Sequence, residues 1–69
     1  MKSISGKALC KLVEKFGWQL KRITGSHHIY EKVGVDAILS IPVHSNRDIP
    51  IGTLKQILKD AGLSAQDLI

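Results

Sequence analysis

The segment Gly25-Ser26-His27-His28-Ile29-Tyr30 places two imidazoles directly behind a Gly-Ser turn, and a third histidine, His44, follows the apolar run that ends at Pro42-Val43. Histidine is the side chain best suited to carry a proton near neutral pH. A single aimed imidazole gives general acid or base help on the order of 10²- to 10⁴-fold without a metal. No spaced Cys/His set or carboxylate cluster has the pattern of a metal site, so no cofactor is expected. Neither a phosphate-binding glycine loop nor a Gly-x-Ser-x-Gly elbow occurs. Cys10 is the single cysteine, which excludes an internal disulfide and a dithiol motif, and it reads as a small helix residue at the margin of the core.

Charge indicates what such an imidazole would meet. The net charge is +4, and it is unevenly placed: up to Lys32 there are seven Lys or Arg against two acids, and beyond it three against four. The basic half is the half that carries His27. A positive face suits a polyanion such as RNA, whose phosphates supply most sequence-independent affinity and whose ribose carries its own nucleophile, the 2′-hydroxyl. Candidate RNA contacts are Lys7, Lys11, Lys21, Arg22 and Ser26; for any one lysine the plainer role is to keep a helix soluble. No apolar stretch approaches the ~20 residues of a membrane span, and the N-terminus lacks a secretory pattern. The expectation is a cytoplasmic protein with no membrane partner.

The elements that must position these groups are few, because 69 residues make one domain, 1–69, with a thin core. Ser5 can cap a helix over about Gly6 to Phe16, whose apolar residues Leu9, Leu12, Val13 and Phe16 share one stripe, and Gly17 stops it. Trp18 to Ile23 alternates as a strand with Trp18 and Leu20 inward. A second strand, about Ser26 to Lys32, separates His27, Ile29 and Glu31 from His28, Tyr30 and Lys32. Tyr30 is assigned inward, so His27 faces out and His28 becomes a partly buried polar residue. A third strand, Ala37 to Val43, turns Leu39, Ile41 and Val43 inward and Ser40, Pro42 and His44 outward, with Pro42 marking a sheet edge. If the second and third strands pair, His44 shares the face of His27. Pro50 opens a second helix carrying Leu54, Ile57, Leu58 and Ala61, which Gly62 ends, and Ser64 to Asp67 suggests a further capped turn. The predicted core is Leu9, Leu12, Val13, Phe16, Trp18, Leu20, Tyr30, Leu39, Ile41, Val43, Leu54, Ile57 and Leu58.

The order helix, three strands, helix, with hairpin-length connections, predicts an α+β fold of α-β-β-β-α order. Its sheet is three-stranded and antiparallel, with both helices on one face, as in the double-stranded RNA-binding domain. The Gly-Ser-His-x-x-Tyr segment, set in that order and followed by Gly52-Thr53-Leu54, Ile57-Leu58 and Gly62-Leu63, resembles the HicA family of small toxins over about Ser5 to Leu68. The resemblance implies a metal-independent endoribonuclease, an mRNA interferase of a toxin–antitoxin system, with His27 catalytic. His44 is a second candidate, as an acid or a phosphate contact. It also implies a HicB-type antitoxin, through which oligomers would form. The alternative is a non-catalytic module for double-stranded RNA. The start of the second helix, Pro50-Ile51-Gly52-Thr53, lacks the basic cluster that would grip a groove, which favours the enzyme.

Overall fold

In the computed structural model, which describes residues 3–68, the first helix begins at its cap. Ser5 is extended, and its hydroxyl accepts a 3.2 Å bond from the Ala8 amide. Helix α1 runs Gly6–Lys15 and ends at Phe16, with the Gly17 and Trp18 amides closing onto Glu14 and Val13. That closing pair of bonds turns the chain so that Trp18 drops into the core instead of continuing along the helix. Strands β1 (Gln19–Thr24), β2 (His27–Lys32) and β3 (Val35–Pro42) follow, then helix α2 (Ile51–Ala61) and one 3₁₀ turn, Ala65–Leu68. The sheet order is β1-β2-β3, antiparallel throughout. The predicted α+β architecture is therefore the observed one. Lys2, counted in the basic half, lies outside the described residues.

Both helices lie on one side of the sheet. Leu9 and Val13 of α1, Leu54, Ile57 and Leu58 of α2, and Tyr30, Leu39 and Ile41 of the sheet form a single buried cluster, so the strand residues of opposite parity face an uncovered side. The helices sit over β3 in preference to β1. That placement corrects two core assignments. Leu20 does pair with Tyr30 and share its face, yet it is 46% exposed, because no helix reaches over β1 to cover it. Phe16, at the helix end beside the same uncovered margin, is 41% exposed. Leu12 and Val43 are only partly buried against the cluster. Ile49, absent from the predicted core, is buried: its amide bonds the Ile4 carbonyl at 2.8 Å, which draws the loop before α2 against the start of the chain. The third strand begins at Val35, two residues earlier than alternation suggests, because Lys32 pairs directly with Val35 across a two-residue turn.

Gly6 fixes how closely α1 approaches the sheet. A Cβ built there would lie 2.0 Å from the Pro42 carbonyl oxygen and 3.0 Å from Val43 Cα, both backbone atoms that cannot rotate away. Replacing glycine by alanine inside a helix normally stabilises by roughly 1 kcal/mol. Here the sign is expected to reverse: Gly6→Ala should lower the midpoint of denaturant unfolding, and a raised midpoint would contradict the close approach. The uneven cover makes a second contrast. Leu9→Ala, at a fully buried site, is expected to cost about 2–5 kcal/mol. Leu20→Ala, on the same face but uncovered, should stay within about 0.5 kcal/mol of wild type. Equal losses in denaturant melts would overturn this account of the layers.

Candidate functional site

The β1–β2 hairpin determines where His27 stands. Thr24 and His27 are paired, leaving Gly25 and Ser26 as a two-residue loop with Gly25 at φ 59, the positive value that the first central position of such hairpins requires. Across β3, His27 pairs with Pro42, and His28 with Ile41. The Val43 amide bonds the Ser26 carbonyl at 2.8 Å, so His27 and Pro42 form a non-hydrogen-bonded pair, whose side chains come close. The proline nitrogen then points to the outer edge, where no donor is needed. His27 is exposed on the uncovered face; His28 is on the helical side with Tyr30 and is half-buried.

Two contacts define the surroundings of His27. Its Nδ1 lies 3.1 Å from Ser40 Oγ. His44, just past the end of β3, has its Nε2 3.5 Å from Ser26 Oγ, a long contact that ties it to the hairpin loop. A groove of about 390 Å³ opens here between the Pro42 end of β3, the loop 44–50 and the first turn of α2. Its lining brings His27 and His44 together, and adds Ser40, Arg47, Asp48 and Thr53. Alternation along β3 puts Ser40 on this face. Arg47 and Thr53 carry no local signal, since their position depends on how the loop folds back over the sheet edge.

The basic residues divide between two layers. Lys7 and Lys11 are exposed on α1, in the helical layer, and neither lines the groove. Arg22 does reach the face of His27, by way of an irregularity. Leu20 pairs with Tyr30 and Arg22 with Ile29, so Lys21 is an extra residue in β1. Without that bulge, strict alternation from Leu20 would turn Arg22 toward the helices; with it, Arg22 points to the open face, and Ile23 turns to the helical side. Lys21 extends its ammonium to within 3.7 Å of the Glu31 carboxylate. Such an exposed pair adds little stability, but it offsets part of the charge of Lys21.

A family model described as the HicA toxin of bacterial toxin–antitoxin systems matches residues 6–63. This chain belongs to the HicA toxin family. A search of curated proteins found no match. The HicA match runs from the first residue of α1 to just past the stop of α2, so it takes in every element except the final 3₁₀ turn. No helix among the described residues is long and apolar enough to cross a membrane.

Behind His27, the helical side of β2 is held by the one tyrosine of this HicA chain. The Tyr30 ring is buried and its hydroxyl donates to Glu14 Oε2 at the rim of α1. Burial, and then that bond, push the phenol far above its usual value of 10.0. Burial likewise raises the neighbouring Cys10 thiol above 9.0, with Glu14 adding and Tyr30 opposing. Because the folded value of Tyr30 is raised, its contribution to stability is complete below the pH where a free tyrosine ionises, about 10. That contribution is lost as the pH climbs further toward the folded value. Phenolate absorbance is therefore expected to appear only together with loss of the fold during alkaline titration. Phenolate forming near pH 10 with the circular dichroism unchanged would contradict the buried, bonded hydroxyl.

Proposed function

We propose that this HicA-family chain is the ribonuclease component of its toxin–antitoxin pair and that it cuts messenger RNA at the groove around His27. The observation that supports this most is the meeting of two histidines and an arginine, His27, His44 and Arg47, around one groove on an otherwise uncovered face. The reaction suited to these groups needs no group beyond the chain and the RNA. The 2′-oxygen attacks the adjacent phosphorus and loses its proton to His27 as the bond from phosphorus to the 5′-oxygen breaks. The departing 5′-oxygen takes a proton, for which His44, lining the same groove, is the candidate donor. Arg47, on the groove, balances the phosphate charge that builds up, and Arg22, on the same open face, contacts the neighbouring backbone. The cell's messages lie in the cytoplasm, and that is where this reading puts the protein.

A HicB-type antitoxin completes the reading. Covering the groove is the simplest way to silence one exposed histidine, and an acidic segment of such a partner would meet Arg47 at the groove and Arg22 on the same face. Attraction of that kind raises the association rate and weakens with salt. Lys7 and Lys11, in the helical layer, would meet only a partner or RNA that wraps past the α1 side of the domain.

His27→Ala is expected to abolish RNA cleavage and growth inhibition and leave the fold intact, since an exposed site has little packing to lose. His44→Ala should slow cleavage less severely, and His28→Ala should leave it competent. Arg22→Ala should weaken RNA binding with a reduced salt dependence, and chelators should not stop the cut. Folded His27→Ala protein that cuts RNA at the wild-type rate would refute this reading. If neither protein cuts RNA and both bind a duplex, the chain is a binding module instead.

A further inference from the structure

The alternation that sends His27 outward also sends Ser40 outward, and the register makes them diagonal neighbours. His27 is paired with Pro42, and Ser40 stands two residues back along β3 on the same face. A diagonal partner across an antiparallel pair is within reach of a long or aromatic side chain. Pro42, directly opposite, offers the imidazole neither a donor nor an acceptor. Among the described residues, Ser40 is the side chain that takes up a ring nitrogen of His27, with Nδ1 and Oγ 3.1 Å apart. Nε2 is the nitrogen that remains for chemistry. We propose that Ser40 is a positioning residue for His27, accepting a hydrogen bond from Nδ1–H so that Nε2 is presented, unprotonated, to the RNA 2′-hydroxyl. The proposal rests on the ribonuclease reading above and names the residue that prepares its base.

The chemistry of the contact suits that role. A neutral imidazole carries one proton, and a base that acts through Nε2 must keep that proton on Nδ1. A hydroxyl oxygen accepts from Nδ1–H both before and after Nε2 takes up the 2′-hydroxyl proton, so the bond survives the step. It strengthens once the ring is charged, because hydrogen bonds from ionised donors are the stronger ones. It also restrains a ring that is exposed on the open side of a strand.

Ser40→Ala and Ser40→Thr test this beside wild type and His27→Ala. The readouts are steady-state cleavage of a single-stranded RNA and ring-nitrogen NMR of His27 in the unliganded protein. Ser40→Ala should lower kcat by roughly tenfold, the scale of one lost hydrogen bond, with KM little changed. Its His27 ring should lose the Nδ1–H tautomer. Ser40→Thr, which restores the hydroxyl on a strand-compatible side chain, should recover both. Ser40 is exposed, so the alanine variant is expected to fold, and circular dichroism checks this. Wild-type kcat and an unchanged ring spectrum in Ser40→Ala, with His27→Ala inactive, would overturn the positioning role alone. Loss of activity in Ser40→Ala that threonine does not restore would also overturn it. Wild-type cleavage by His27→Ala would instead remove the ribonuclease reading on which the role rests.

Discussion

The pairing of β2 with β3 is the constraint on which the rest of this molecule depends. His27 opposite Pro42 sets the parity of both strands at once: Tyr30, Leu39 and Ile41 turn to the helices, and His27 and Ser40 turn to the open side. A slip of one residue would exchange the two sets, burying imidazole and exposing the centre of the core. The largest fully buried side chains include Tyr30, Leu39 and Ile41, so hydrophobic burial resists that slip strongly. The energy that folds the domain is thus also what aims the histidine. Gly6 reinforces the same register from the other layer, since its contact with the Pro42 carbonyl seats the start of α1 over the strand end that faces His27.

One end of the uncovered sheet face gathers the histidines, Ser40 and Arg47. The groove lies where the Pro42 end of β3 meets the loop before α2, and that loop is pinned by the buried Ile49 and its bond to Ile4. His44 and Arg47 therefore ride on a segment anchored at both sides, by the Val43 amide to Ser26 and by Ile49 to the start of the chain. Farther along the sheet, the bulge at Lys21 brings a guanidinium to the same face. Together these devices collect polar and basic groups on a face that two helices leave bare.

The parts of this arrangement that the sequence made legible are those set by short periods. Alternation in Ser26 to Lys32 and Ala37 to Val43 was enough to put His27, Ser40 and Pro42 on one side and Tyr30, Leu39 and Ile41 on the other. The caps at Ser5 and Gly62 were legible because capping chemistry is local. What alternation could not show was extent of cover. Leu20 has the correct parity and is still exposed, because burial depends on where a helix from elsewhere in the chain comes to rest. The bulge at Lys21 hid in a run of apparently regular alternation, and its effect was to redirect Arg22. Charge alone groups Lys7 and Lys11 with Lys21 and Arg22, and the fold assigns them to a different layer.

If the 2′-hydroxyl of RNA is the nucleophile and His27 its base, the ends of the cut RNA carry the signature of that attack. Purified protein incubated with a defined single-stranded RNA should leave upstream fragments with 2′,3′-cyclic phosphate or 3′-phosphate ends and downstream fragments with 5′-hydroxyl ends. A single 2′-deoxy substitution at the cut position should block cleavage there. Fragments with 3′-hydroxyl and 5′-phosphate ends, or unimpaired cutting at the deoxy position, would mean that water is the nucleophile and would contradict the account.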